Sequence, residues 1–348
     1  MSAHSVNVVR ITNLRKHPNA DALDIINIGQ YQAVVGKETF ALGDLAVYIE
    51  PDYVVPTHRE EFAFLARPNR IAHRLKAVRL RGEISHGLLI PVPADIKETY
   101  AAFGGVKEGD DLMNDLEIKR WEPEQRLVMR AEQVSHEDWP DVGAYGHQKF
   151  DVEGIKKAED WFTHGEPVLV TEKVHGANAR YVFIDGKFYV GSRSQWLKPE
   201  GDHPWARVLS VRPDIERWCR NHPSTILYGE VYGKVQSLKY GLPNDVDFIA
   251  FAAWSALYGD WADLEMLFSS FSTYDLVHVP VLYKGPFTME AINAIKERDS
   301  VVAQERGITD HMMEGVVITP VSERWAGRAY DQRCVAKVIS DRYWELKD

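Results

Sequence analysis

Apolar and polar residues alternate in short stretches along about the first hundred positions. Asn7–Thr12, Asp24–Ile28, Tyr31–Val35, Leu45–Ile49, Ala77–Leu80 and Gly87–Pro91 each read as a β-strand. Turn signals separate them at His17-Pro18-Asn19, Gly29, Gly36 and Arg81-Gly82. So many short strands in so little chain predict a small closed β-barrel over residues 1–114. Residues 115–149 lose any sustained period. Their opening, Asp115-Leu116-Glu117-Ile118-Lys119-Arg120-Trp121-Glu122-Pro123, is charged and aromatic, and with Trp139 it reads as a connection packed on a surface. From about Phe150 to Asp348 the pattern is mixed. Strands are expected at Val168–Thr171, Thr225–Tyr228, Val246–Phe251, Val316–Thr319 and Cys334–Ile339. A hairpin over Ala179–Ile184 and Lys187–Gly191 turns at Asp185-Gly186, a type I′ signal. Trp205, Val208, Leu209, Ile215, Trp218 and Cys219 recur at roughly helical spacing, with Pro213 dividing two short helices. Helical stretches follow near Asp263–Phe271 and Met289–Gln304. The expected class is α+β: a barrel, a connection, and an antiparallel sheet interleaved with helices.

Composition narrows the function classes. At 348 residues, two domains are the better prior, and 45% hydrophobic with 26% charged is ordinary for a globular chain. Cys219 and Cys334 are too far apart for a disulfide framework or zinc spacing, and the histidines show neither His-x-His nor His-Glu-x-x-His. No apolar run approaches membrane length, and no signal-peptide core opens the chain, so a soluble, cytoplasmic protein is expected. A net charge of −10 argues against non-specific nucleic-acid binding over the whole surface. Locally, Arg67, Arg70, Arg74, Lys76, Arg79 and Arg81 lie together with no acidic residue between them. Such a run is often a solvated face; here it is also the best phosphate-backbone contact in an acidic chain, with Arg74, Lys76, Arg79 and Arg81 as candidate RNA ligands.

One stretch carries the chemistry. Val168–Thr171 climbs to Glu172 and Lys173, then turns through Val174-His175-Gly176-Ala177-Asn178, delivering one amine to a strand end. The bare pattern Lys-x-x-Gly is weak and occurs again at Lys198, but there no apolar strand precedes it. No Gly-x-x-x-x-Gly-Lys is present, so any nucleotide is held without a P-loop.

Two resemblances follow from these residues. His17-Pro18-Asn19-Ala20-Asp21-Ala22-Leu23-Asp24 with Arg79-Leu80-Arg81-Gly82-Glu83-Ile84-Ser85-His86-Gly87-Leu88-Leu89 is similar to the OB domains that bind tRNA beside some aminoacyl-tRNA synthetases. Glu172-Lys173-Val174-His175-Gly176-Ala177-Asn178 resembles motif I of the lysine-adenylating nucleotidyltransferases, in the spelling of RNA ligases. Ser192-Arg193 resembles motif Ia, and Leu227-Tyr228-Gly229-Glu230-Val231-Tyr232-Gly233 resembles motif III. Phe248-Ile249-Ala250-Phe251, Glu314-Gly315-Val316-Val317-Ile318 and Val335-Ala336-Lys337-Val338 resemble motifs IIIa, IV and V. Each is weak alone; six in family order are specific. With OB first and ligase second, the chain resembles the ATP-dependent RNA ligases sometimes called the fifth RNA ligase family.

The resemblance implies an enzyme that seals 3′-hydroxyl to 5′-phosphate RNA ends in repair. Lys173 would attack the α-phosphate of ATP to form lysyl-AMP, splitting a hard displacement into easier transfers. A free lysine titrates near ~10.4, so a nearby cation, either Lys337 or a metal, is needed to favour the neutral amine. By position Glu230 and Glu314 would hold waters on Mg2+ or Mn2+. Lys337 would neutralise α-phosphate charge, and Arg193 and Glu172 would contact the nucleotide. Phe251 would stack on adenine, and His175 and Asn178 would serve the end-joining steps. The resemblance also implies an RNA or nicked-duplex partner and a monomer.

Two departures bear on this. Val335 stands where relatives often carry a second motif V lysine, for which Arg333 or Arg328 could substitute. Ala252 stands where many carry an aspartate after the IIIa aromatic. An inactive nucleotidyltransferase fold that binds RNA is therefore the alternative. A DNA ligase or capping enzyme normally continues into an OB domain after motif V, whereas this sequence ends eleven residues past Lys337.

Overall fold

A computed structural model describes residues 6–29, 31–68, 70–121, 132–142, 149–326 and 332–346. Arg328 and much of the expected connection lie outside the described residues. The chain divides into two compact units, one of the described residues up to 121 together with 344–346, the other from 132 to 343.

The first unit is built on short antiparallel strands. β1 (Asn7–Arg10), β2 (Arg15–Lys16), β3 (Leu23–Ile28), β4 (Tyr31–Gly36) and β5 (Leu45–Ile49) come first. β6 (Tyr53–Pro56), β7 (Ala72–Arg74), β8 (Val78–Leu80), β9 (Glu83–Ser85) and β10 (Leu88–Pro91) follow, then α1 (Ala94–Ala101) and β11 (Lys119–Arg120). The pairings β1-β5-β10, β2-β3-β4 and β8-β9 enclose Val8, Val47, Ile49, Val55, Phe62 and Ile90 in one cluster, and Ile26, Ala33, Tyr48 and Leu89 in another. This is the alternating inward face that the sequence predicts. β11 pairs with β6, so the start of the expected connection belongs to this unit. The His-Pro-Asn motif has a structural job here. His17 Nε2 lies 2.9 Å from the Leu80 carbonyl, and Asn19 donates to the Arg81 carbonyl at 3.0 Å, where Arg81 and Gly82 turn with φ of 51° and 98°.

The second unit holds two antiparallel-rich sheets. It begins with β12 (Glu153–Gly154), α2 (Ile155–Ala158), β13 (Pro167–Lys173), β14 (Gly176–Ile184), β15 (Lys187–Ser192) and β16 (Trp196–Leu197). Next come α3 (Pro204–Val211), α4 (Pro213–Asn221), β17 (Thr225–Gly233), β18 (Val246–Ser255), β19 (Asp260–Trp261) and α5 (Leu264–Thr273). β20 (Val281–Pro286), α6 (Met289–Lys296), α7 (Val301–Gln304) and β21 (Gly315–Pro320) lead to β22 (Trp325–Ala326), β23 (Gln332–Arg333), β24 (Ala336–Ile339) and α8 (Asp341–Trp344). One sheet runs β12-β24-β21-β13-β20, the other β16-β15-β14-β17-β18-β19. The β14–β15 turn has φ of 50° and 76° at Asp185 and Gly186, as a type I′ turn requires, and Pro213 opens α4 as a separate helix. The stretch 289–304 is two helices rather than one, because Ser300 caps α7 through the Ala303 N–H at 3.0 Å.

Alternation decides what each sheet offers. Val168, Val170, Val316, Ile318, Ala336 and Val338 face one core with Ile292 and Ile295 of α6. Register puts Lys173 opposite Gly315 and Ile339, and Thr171 opposite Val317 and Lys337, on the other face.

Candidate active site

Lys173 ends β13, and the chain re-enters the second sheet three residues later at Gly176. The crossing is possible because Gly176 has no side chain: a β-carbon there would sit 2.2 Å from the Val231 carbonyl oxygen and 2.9 Å from Cγ of Glu230. Close approach of β14 to β17 pairs Asn178 with Glu230 in register. Motif I therefore joins the two sheets, with the amine on one and Asn178 on the other.

The groups that meet there are strongly coupled. Lys173 Nζ lies 2.7 Å from Glu314 Oε2, and His175 Nδ1 lies 3.3 Å from the same oxygen. Burial would raise the Glu314 carboxyl, but Lys173 and His175 overcome that and hold it down at about 2. Glu230 behaves oppositely. Desolvation pushes it up to about 8, with Glu314 adding to the rise and Lys173, the Gly176 N–H and Arg193 opposing it. Two carboxyls in one place, pushed apart in pKa, mark the cleft as electrostatically organised.

Other predicted residues are placed as follows. Lys337 shares a sheet face with Lys173, two strands across and two residues along from it. Arg193 is exposed, paired with Asp151, and within electrostatic reach of Glu230. Asn178 Oδ1 is buried without a hydrogen-bond partner, while its backbone carbonyl accepts from Trp205 Nε1 at 2.9 Å. Phe251 packs against Phe150, with ring centroids 4.5 Å apart, at the margin of an aromatic cluster that includes Tyr228 and Trp261. Glu172 is not brought to the cleft. Alternation turns it to the core face, where it accepts from the Ser300 hydroxyl, from Val301 N–H at 2.8 Å and from Val302 N–H at 3.2 Å.

The two departures acquire physical reasons. Ala252 is fully buried in the apolar cluster with Trp254 and Ile226, a place where an unpaired carboxylate is costly. Arg333 does not take the place of a second motif V lysine, because it is bound bidentately by Glu323 at 2.9 and 2.6 Å and lies over Trp261. On the first unit, Arg74 is tied to Asp52 at 2.8 Å and stacked over Trp121. Arg79 is paired with Glu345 and donates to the Gly82 carbonyl at 2.9 Å. Arg81 is exposed and Lys76 half-buried.

Sequence reasoning missed three hydroxyls around His175. Tyr240 Oη accepts from the His175 backbone N–H at 2.8 Å, Ser237 Oγ lies 3.2 Å from Nε2, and Tyr343 Oη lies 3.3 Å from Nδ1 and 3.4 Å from Nε2. Tyr240 is fully buried with φ of 47°, a conformation rarely adopted by a bulky residue. Nothing local in the sequence marks these three, since they come from a loop and a helix distant in the chain.

Lys173 thus ends a strand beside Glu314 and within electrostatic reach of Glu230, where the two antiparallel-rich sheets come together. The RNA ligase family model matches residues 166–339, half of the chain, and an OB-fold domain model matches residues 5–92. The chain belongs to the RNA ligase family. Its fold is that of solved Naegleria gruberi RNA ligase structures. A lysine-to-alanine variant with ATP and Mn matches with a TM-score of 0.78 and 20% identity, covering 98% of each chain. A lysine-to-methionine variant with AMP and Mn gives 0.76 and 20%, over 97% of each. The enzyme with PPi gives 0.74 and 21%, over 97% of this chain and 96% of that one. No curated protein matches the chain.

Proposed function

We propose that the protein is an ATP-dependent RNA ligase that seals 3′-hydroxyl and 5′-phosphate ends through lysyl-AMP. The observation that carries this reading is the coupling of Lys173, Glu314 and Glu230 across the two sheets, with Lys337 on the lysine's own face. ATP, AMP, Mn and PPi in the similar Naegleria gruberi structures support ATP as the adenylyl donor.

The neutral Lys173 amine attacks the α-phosphorus of ATP, forming a P–N bond as the bond to pyrophosphate breaks and the amine proton leaves. A 5′-phosphate oxygen of RNA then takes the AMP and frees Lys173. Finally the 3′-hydroxyl attacks the activated phosphorus and AMP departs. Lys337 and Arg193 offset negative charge as these phosphates pass through, and Phe251 borders the adenine. His175 and Asn178 serve the joining step. The donor set fits a divalent ion: two carboxylates and the unpartnered Asn178 Oδ1 are hard oxygens, suited to Mg2+ or Mn2+ that keeps its waters. Among the described residues no group of three or more His, Cys, Asp or Glu gathers as a protein cage. Such an ion supplies charge neutralisation at the phosphates and favours the unprotonated amine.

The first unit engages RNA through Arg74, Lys76, Arg79 and Arg81, with Arg74 and Arg79 exchanging Asp52 and Glu345 for phosphate. The RNA-binding and ligase roles are assigned to residues 1–114 and 150–348, with the start of 115–149 packed on the first unit through β11. The protein is proposed to act as a monomer; no helix among the described residues is long and apolar enough to cross a membrane. A nick with RNA on the 3′-hydroxyl side is the preferred substrate, an idea that fails if single-stranded ends are sealed faster.

The deciding measurement is intact mass after incubation with ATP and Mg2+ or Mn2+. An AMP adduct on the wild type and none on Lys173→Met is expected. No adduct, after stripping any AMP carried from expression, would leave an inactive fold that binds RNA.

A further inference from the structure

His175 is enclosed by groups that fix it from four directions, and the pattern specifies how its ring is held. On one side Glu314 Oε2 lies 3.3 Å from Nδ1, an ion-pair distance rather than a directed hydrogen bond. On the other side Ser237 Oγ stands 3.2 Å from Nε2. Tyr343 Oη sits at the ring edge between both nitrogens, with ring centroids 5.1 Å apart at 64°. The backbone of the same residue is held by Tyr240.

Tyr343 is itself kept in place by its helix. Lys296 and Glu297 at the end of α6 bind Asp341 and its N–H at 2.6 and 2.8 Å, Arg342 pairs with Asp299 at 2.7 Å, and the Tyr343 N–H donates to Ser340 Oγ at 3.0 Å. A four-residue helix so heavily anchored presents its tyrosine at one fixed position. Ser237 arrives on a loop whose neighbour Tyr240 holds strained backbone, a cost that persists only where the surroundings impose it.

We infer that Tyr343 and Ser237 are positioning residues that hold the orientation of the His175 ring for strand joining. They act through His175 and touch no reacting atom, so this rests on the reading of His175 as a joining-step residue. Losing one ordinary hydrogen bond to the ring is expected to slow joining about tenfold.

The test separates the steps. Wild type, Tyr343→Phe, Ser237→Ala, His175→Ala and Tyr343→Phe with His175→Ala are compared for lysyl-AMP formation and for sealing of a pre-adenylated RNA nick. Tyr343→Phe should slow sealing about tenfold and lysyl-AMP formation no more than about twofold, and Ser237→Ala should do the same more mildly. In the His175→Ala background Tyr343→Phe should add nothing, as for two members of one unit. Nitrogen-15 shifts of the His175 ring should differ between wild type and Tyr343→Phe. Undiminished sealing by both single variants, or an equal loss from Tyr343→Phe with and without His175, would overturn the inference. Full sealing by His175→Ala would instead remove the reading beneath it.

Discussion

Gly176→Ala is the sharpest probe of how motif I is built. The added β-carbon would lie 2.2 Å from the Val231 carbonyl oxygen and 2.9 Å from Cγ of Glu230. Both neighbours resist displacement: one is backbone within the β14–β17 ladder, and the other carries a carboxyl of the cleft. Restoring ordinary contact separates the strands by about 1 Å at this point. Overpacking of that kind costs about 1–3 kcal/mol, which at about 2–4 °C per kcal/mol in a unit of this size lowers Tm by about 2–12 °C. The catalytic cost is greater. Glu230 and Lys173 are carried on different sheets joined at this glycine, and a misplacement of about 1 Å can cost about a hundredfold in rate. The rate of lysyl-AMP formation, followed by intact mass beside thermal unfolding, should therefore fall about a hundredfold while the protein stays folded at the assay temperature. Adenylation at the wild-type rate would refute the claim that close approach at Gly176 sets the geometry.

Three further outcomes follow from the charges. Glu230 has its native pKa raised to about 8, so the folded protein carries a cost that grows as pH rises from the unfolded value toward 8. Glu230→Gln should raise the apo Tm at pH 9 and do so progressively less toward pH 5; an equal gain at both would contradict it. Glu314 is the reverse case, held at about 2, and its contribution is present above the unfolded value and lost as pH falls toward 2. Glu314→Gln should lower Tm at pH 7, converge with wild type in acid and abolish adenylation, as thermal melts and adduct mass would show. Glu172→Ala leaves the Ser300 hydroxyl and two N–H groups of α7 unpaired, which should cost about 1–3 kcal/mol of stability. The KM for ATP should stay within about twofold; a large rise in KM without loss of Tm would return Glu172 to the nucleotide.

Local pattern determined much of this protein. Alternation located the strands of both units, Asp185-Gly186 located a hairpin, and Pro213 located a break between helices. The order of short motifs singled out Lys173, Glu230, Glu314 and Lys337 as chemistry on neighbouring strands. Those features are legible because they depend on residues a few positions apart. What the tertiary structure decided is partnership between residues far apart in sequence. Glu172 and Lys173 are adjacent in sequence, yet one caps a helix and the other meets Glu314, because successive side chains on a strand face opposite ways. Arg74 and Arg79 look alike in a basic run, but packing gave one Asp52 and Trp121 and the other Glu345. The hydroxyls on His175 come from positions 237, 240 and 343, which no window along the chain can bring together. The opposed pKa values of Glu230 and Glu314 likewise arise only when burial and neighbouring charge are known, since the two residues are chemically identical until the fold places one beside Lys173 and His175.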